Sequence, residues 1–170
     1  MAASTYNRRN QLRETLVVSE PIRRTMRGNR CKDTAPELML RKALWSAGLR
    51  GYRVNLRTLP GTPDVVFTNV KLAVFVHGCF WHGCPNCASY RLPKTNSAFW
   101  AAKLKENQAR DARAQDALGE AGYTILVLWE CEVERRLDES LCQIRSQLAR
   151  AKSVRRANGY RLPGATAVLR

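Results

Sequence analysis

Residues 72–87 read Leu72-Ala73-Val74-Phe75-Val76-His77-Gly78-Cys79-Phe80-Trp81-His82-Gly83-Cys84-Pro85-Asn86-Cys87. The first five form a short apolar run rich in β-branched and aromatic residues, the pattern of a strand. The rest is punctuated by glycines, holds three cysteines and carries both histidines of the chain. Upstream, Tyr52 to Asn55 and Asp64 to Phe67 are similar short runs, separated by the turn signals Pro60-Gly61-Thr62-Pro63 and Thr68-Asn69. Three successive antiparallel strands are predicted. Before them, Thr34-Ala35-Pro36-Glu37 has the form of a capping box, and Leu40, Leu44 and Ala47 recur at helical spacing. With Gly48 as a stop, a helix is predicted over about 35–47. Downstream, Ser97 can cap a long helix to about Ala121, ended by Gly122. The apolar strand Thr124 to Trp129 follows, and a last helix covers about Leu137 to Ala151. Helix, three strands, long helix, strand and helix describe an α/β domain with a mixed sheet.

The chain has 170 residues, one domain's worth, with 29 Lys plus Arg against 14 Asp plus Glu, for a net charge of +15. A surface so basic favours a polyanionic partner. Nucleic acid leads, because phosphate neutralisation and counterion release drive such binding, and an anionic membrane is the weaker alternative. The longest apolar runs, such as Leu72 to Val76 and Ile125 to Trp129, fall far short of the roughly 20 residues of a membrane span. Arg8, Arg9 and Arg13 are followed by no apolar stretch of signal-peptide length, so a cytoplasmic protein is expected. Residues 1–33 form a basic arm. After Glu139 no acidic residue occurs, while cations continue from Arg145 to Arg170. Both ends suit phosphate contact, or are simply solvated tails.

Six cysteines in a reducing compartment point away from disulfides. Cys79, Cys84 and Cys87 supply three thiolates, and Cys131, just past the last strand, can complete a tetrahedral zinc site, leaving Cys31 and Cys142 as bystanders. Two other readings stay open: a redox dithiol at Cys84-Pro85-Asn86-Cys87, and a histidine as a zinc ligand. Asp64 opens a strand after a tight turn, where a carboxylate suits magnesium or merely serves the turn. His77 and His82 suit acid or base work near neutral pH. Phe80 and Trp81 lie in a loop pinned by cysteines, either as core or as a wedge between stacked bases. Trp100, Leu104, Asn107 and Asp111 line one helical stripe that turns polar, running into a cleft or out to solvent. Glu37 either caps its helix or orders water at a metal site.

The blocks Leu59-Pro60-Gly61-Thr62-Pro63-Asp64, Val74 to His82, Phe99-Trp100 with Asn107 and Arg110-Asp111, and Val127-Leu128-Trp129-Glu130-Cys131 resemble the very short patch repair DNA mismatch endonucleases. The likeness runs from about Thr25 to Cys131. It implies a restriction-endonuclease-like (PD-(D/E)XK-type) fold, a mixed central sheet flanked by helices with a structural zinc. On this reading residues 1–33 are the arm, 34–151 the endonuclease domain and 152–170 a basic tail. The implied activity is magnesium-dependent nicking of one strand at thymine–guanine mismatches produced by deamination of 5-methylcytosine. By resemblance, Asp64 and the main-chain carbonyl of Val76 hold magnesium. His77, His82 and Asp111 are catalytic, with His82 as base and His77 braced by Asp111, and Glu37 interacts with metal-bound water. Phe80, Trp81 and Trp100 enter the duplex, and Met26 of the arm reaches the other groove. Three departures stand out: Val76 where some relatives have threonine, Phe75-x-His77 in place of the common nuclease Glu-x-Lys, and a cysteine where relatives can use a zinc-binding histidine.

Duplex DNA with a thymine–guanine mismatch is then the partner, alongside mismatch-repair proteins and a cognate cytosine-5 methyltransferase. The expected setting is the bacterial nucleoid, with the chain acting as a monomer. The competing class is a zinc-stabilised DNA-binding module without catalysis.

Overall fold

The computed structural model describes residues 32–87 and 91–157. Met26, Cys31 and most of the expected arm lie outside the described residues, as do residues 158–170. The elements in order are α1 (Ala35–Ser46), β1 (Arg53–Val54), β2 (Val65–Phe67), a 3₁₀ turn (Thr68–Val70), β3 (Leu72–His77), α2 (Cys79–His82), α3 (Ser97–Glu120), β4 (Thr124–Trp129), α4 (Glu130–Arg135) and α5 (Leu137–Ala157). The strands form one four-stranded mixed sheet in the order β1-β2-β3-β4. The first three strands pair antiparallel as expected, and β4 pairs parallel to β3 across the α3 crossover.

Both glycine stops behave as the sequence predicts. Gly48 (φ 72°) donates to the Trp45 carbonyl while Leu49 donates to Leu44, and Gly122 (φ 78°) with Tyr123 repeats the pattern on Gly119 and Leu118. These paired bonds satisfy the last helical carbonyls. Other expectations need correction. Helix α3 takes Asn96 (φ 56°) as its N-cap, so Ser97 is the first helical residue. Two elements were not predicted, the one-turn helix α2 and the short α4, and α5 continues past Ala151 to Ala157. The segment with Phe80 and Trp81 is thus a helical turn, not a loop.

The Thr34–Glu37 capping box is also rearranged. Thr34 makes no side-chain cap bond; its hydroxyl donates to Glu37 Oε1 at 2.8 Å, and Glu37 Oε2 accepts from the N–H of Asp33 at 2.8 Å. Pro36 removes one of the two N–H groups the threonine oxygen could cap, and the Thr34 hydroxyl is turned onto the Glu37 carboxylate instead.

Alternation along β3 sorts its side chains between two clusters. Leu72 and Val74 join Leu40, Leu44, Val65, Phe67, Leu128, Val133 and Ile144 beneath α1, α4 and α5. Ala73 and Phe75 face the other way, under Leu118 of α3. His77 continues this second face, edge-on to Phe75 at 5.9 Å between ring centroids.

Candidate active site and thiolate cluster

Asp64, immediately before β2, and Val76, near the end of β3, are drawn together by the antiparallel pairing of those strands. The Val76 N–H donates to Asp64 Oδ2 at 2.7 Å. Burial pushes the Asp64 carboxyl up to about 6; the Val76 N–H opposes this rise and the nearby charge of Glu37 adds to it. A carboxylate with charge so poorly compensated is a ready oxygen ligand for a hard dication.

Beyond His77 the chain turns at Gly78, and the single turn of α2 folds His82 back over His77. The two imidazoles stack at 4.0 Å with an interplanar angle of 17°. His82 Nδ1 meets Asp111 Oδ2 of α3 at 2.5 Å. With a carboxylate on Nδ1, the proton sits there and Nε2 is left as the proton acceptor. Asp111 therefore braces His82, not His77 as expected from the sequence. The reason is the α2 turn, which puts His82 between the other two.

His77 is buried, packing edge-on against Trp129 at 5.6 Å. Burial, reinforced by the charge of His82, pulls its pKa down to about 4, so it is neutral near pH 7. Burial of Asp111 works to raise its pKa, but the hydrogen bond and charge of His82 outweigh that and hold it below the ordinary value. Donor atoms of His77, His82 and Asp111 lie within 4.8 Å of one another. The stacked rings lie in nearly parallel planes, though, so their in-plane lone pairs do not converge on one ion. The arrangement suits proton transfer better than chelation.

Helix α3 holds α2 by its backbone: Asn107 Nδ2 donates to the Trp81 carbonyl at 3.0 Å, and Gln108 Nε2 to the His82 carbonyl at 3.2 Å. The polar half of the Trp100–Asp111 stripe thus runs into a cleft. Glu37, Asp64, His77, His82, Trp81 and Asp111 all line one cavity of about 960 Å³. Lys32, Arg57, Lys103 and Arg110 add positive charge to its wall. Phe80, Trp81 and Trp100 form an aromatic cluster with centroids 5.2–6.0 Å apart. Trp100 is 7% exposed and supports the half-buried Phe80 and Trp81 from below.

The sulfurs of Cys79, Cys84, Cys87 and Cys131 all lie within 4.8 Å of one another, Cys84 and Cys131 at 3.9 Å. None of the four is in a disulfide. Four thiols in one cluster fit a tetrahedral metal better than an isolated dithiol pair. Burial raises the thiol pKa values of Cys79 and Cys131, a state that a bound cation reverses with its own charge. No histidine joins this set, and Cys142 stands apart on the surface of α5.

Three polar partners were missed from the sequence. Glu130 Oε2 accepts from the Cys79 N–H at 3.0 Å, fastening the start of α4 to the start of α2. It sits in the quoted Trp129-Glu130-Cys131 block, which was the available signal. Gln108 follows Asn107 on α3, and Arg41 lies one helical turn after Glu37, but neither position carries a motif.

Comparison with known proteins defines the class: the family model described as DNA mismatch endonuclease Vsr matches residues 18–88. The type II nicking enzyme V.XorIIP of Xanthomonas oryzae pv. oryzae is 44% identical over 114 residues, covering 67% of this chain and 82% of that protein. The DNA mismatch endonuclease Vsr of Escherichia coli K12 is 37% identical over 123 residues, covering 71% and 78%. The type II nicking enzyme V.NaeI of Lentzea aerocolonigenes is 45% identical over 114 residues, covering 64% and 67%. The chain belongs to the Vsr family. No helix among the described residues is long and apolar enough to cross a membrane.

Proposed function

We propose that this chain nicks one strand of duplex DNA at thymine–guanine mismatches left by deamination of 5-methylcytosine, and so initiates very short patch repair. The proposed core is restriction-endonuclease-like, with zinc held by Cys79, Cys84, Cys87 and Cys131. The observation that carries this reading is the convergence of Asp64 and the His82–Asp111 pair on one cavity beside Phe80 and Trp81. Its relatives, a mismatch endonuclease and nicking enzymes, support it.

Asp64 and the Val76 carbonyl would hold magnesium. When bound there, the ion supplies positive charge against the scissile phosphate and the leaving oxygen. His82 takes the proton of the attacking water at Nε2, and Asp111 orients the ring and stabilises the imidazolium. Neutral His77, stacked on His82, fixes the ring plane without adding a like charge. Water attacks phosphorus, the P–O3′ bond breaks, and the products carry 5′-phosphate and 3′-hydroxyl ends. Phe80 and Trp81, supported by Trp100, open the base stack, and Met26 of the arm reaches the opposite groove. Opening a step costs on the order of a few kcal/mol and least at a mismatch, so the lesion aids its own selection. The proposed setting is the bacterial cytoplasm, at the nucleoid, with the chain acting as a monomer.

The test is incubation in magnesium with labelled duplexes that differ only in the central pair and its flanks. Nicking confined to one strand of the thymine–guanine duplex is expected, and Asp64→Ala should bind that duplex without nicking it. Binding with no cleavage under any divalent metal would instead assign a DNA-binding module.

A further inference from the structure

Arg41 of α1 belongs to no motif and has no part in the mechanism above, yet it is the hub of the structure behind Glu37. Its Nη2 donates to Glu37 Oε2 at 2.9 Å and its Nη1 to Asp33 Oδ1. Asn55, just past β1, closes the network. Its Oδ1 accepts from Arg41 Nη2 at 3.5 Å and its Nδ2 donates to Asp33 Oδ1 at 3.4 Å. Asp33 (φ 55°) and Asn55 (φ 48°) both adopt the left-handed backbone region, which costs energy for a non-glycine residue and persists where the surroundings over-determine it. Asp33 also turns its own N–H onto Glu37 Oε2.

Glu37, 4% exposed, accepts three side-chain or backbone hydrogen bonds besides its place on the cavity wall: from Asp33, Thr34 and Arg41. Glu37 and Asn55 line the cavity, while Arg41 is not among its lining residues. The Arg41 side chain is 13% exposed and its buried Nε has no hydrogen-bond partner among the described residues. Burying a guanidinium in this way is a poor device for stability alone, since an apolar side chain of similar volume often does as well. What this guanidinium does achieve is a single orientation for Glu37 and its supports.

We infer that Arg41 is a positioning residue: with Asp33 and Asn55 it locks the Glu37 carboxylate on the wall of the Asp64 cavity, and it acts on strand nicking through Glu37. The inference rests on the functional reading above, with Glu37 ordering water bound to the proposed magnesium as the family resemblance implies. The test measures single-turnover nicking and duplex affinity for the wild type, Arg41→Met, Glu37→Gln and the double variant. Arg41→Met should nick on the order of 10- to 100-fold more slowly, as loss of an orienting partner does, with duplex affinity unchanged. Arg41→Lys, which keeps the charge but not the planar fork, should recover only part of the rate. In the Glu37→Gln background, Arg41→Met should cause no further loss.

A full rate in Arg41→Met, losses that multiply in the double variant, or weakened affinity at unchanged rate would each overturn the inference. Should circular dichroism show Arg41→Met unfolded, Arg41→Lys takes its place in the same cycle. A wild type that nicks no duplex defeats the functional reading and this inference with it. An active wild type matched by Arg41→Met defeats this inference alone.

Discussion

The two faces of the sheet do different work. One is covered by α1, α4 and α5, whose Leu40, Leu44, Val133, Leu141, Ile144 and Leu148 close over β2, β3 and β4. Among the described residues the other is covered by α3, and its buried apolar cluster is Ala73, Phe75 and Leu118. Leu118 anchors the C-terminal part of α3 to the sheet, while the opposite half packs on α2 and brings Asn107 and Asp111 over it. A thick face supplies burial energy. A thin face leaves the strand ends open, so that Asp64 and His77 are desolvated enough to have unusual proton affinities and, with His82, still reach a cavity. Stability and chemistry are thereby held on opposite sides of the same strands.

That division makes predictions of decreasing size. Cys131→Ser should have the largest effect. It removes one of the four cysteine sulfurs that gather α2 and the start of α4, so if the proposed zinc is held there its content, measured by atomic absorption, should fall from one per chain toward zero, and nicking should vanish with it. Full zinc content and activity would show that the knuckle does not hold the thin face together. Next comes a paired test. His82→Gln should lower the nicking rate on the order of 10²- to 10⁴-fold while leaving the denaturation midpoint near that of the wild type. Leu44→Ala, on the thick face, should do the reverse, costing about 2–5 kcal/mol of stability with the rate per folded molecule retained. Equal destabilisation by the two would erase the distinction.

Trp81→Ala should narrow the preference for mismatched over matched duplex by about 1–3 kcal/mol, the usual value of one base–aromatic stack, with little change in stability. Unchanged preference in a competition assay returns Trp81 to a packing role. The smallest effect concerns protons. His77 has a folded pKa below its ordinary 6.5, so its contribution to stability is present above pH 6.5 and is lost as pH falls toward about 4. Asp64 has a folded pKa above its ordinary 3.8, so its contribution is present below pH 3.8 and is lost as pH rises through about 6. The two oppose each other between about pH 4 and 6. In magnesium-free buffer, urea midpoints for His77→Asn should rise relative to wild type as pH falls through that window, and those for Asp64→Asn should fall. Parallel curves for both variants would remove the buried histidine and carboxyl from the pH dependence.

Sequence alone was sufficient for whatever depends on neighbours a few residues away. Glycine with a positive φ ends α1 and α3 because only the local hydrogen bonds of the last turn are at stake. A short apolar run rich in β-branched and aromatic residues assigned β3, and the stripe Trp100, Leu104, Asn107 and Asp111 already showed a helix that turns polar along its length. The four clustered cysteines and the identities of Asp64, His82 and Asp111 were likewise visible as residue types. Tertiary packing chose among their possible partners. Asp111 reaches His82 across 29 residues and Cys131 reaches Cys84 across 47, and no local preference says which of two histidines a distant carboxylate meets. The single turn of α2 is too short to form on its own energy; it persists because its backbone carbonyls are held by Asn107 and Gln108 and its first N–H by Glu130. Arg41 went unnoticed for the same reason, since Asp33 and Asn55 become its partners only when α1 settles against the loop after β1.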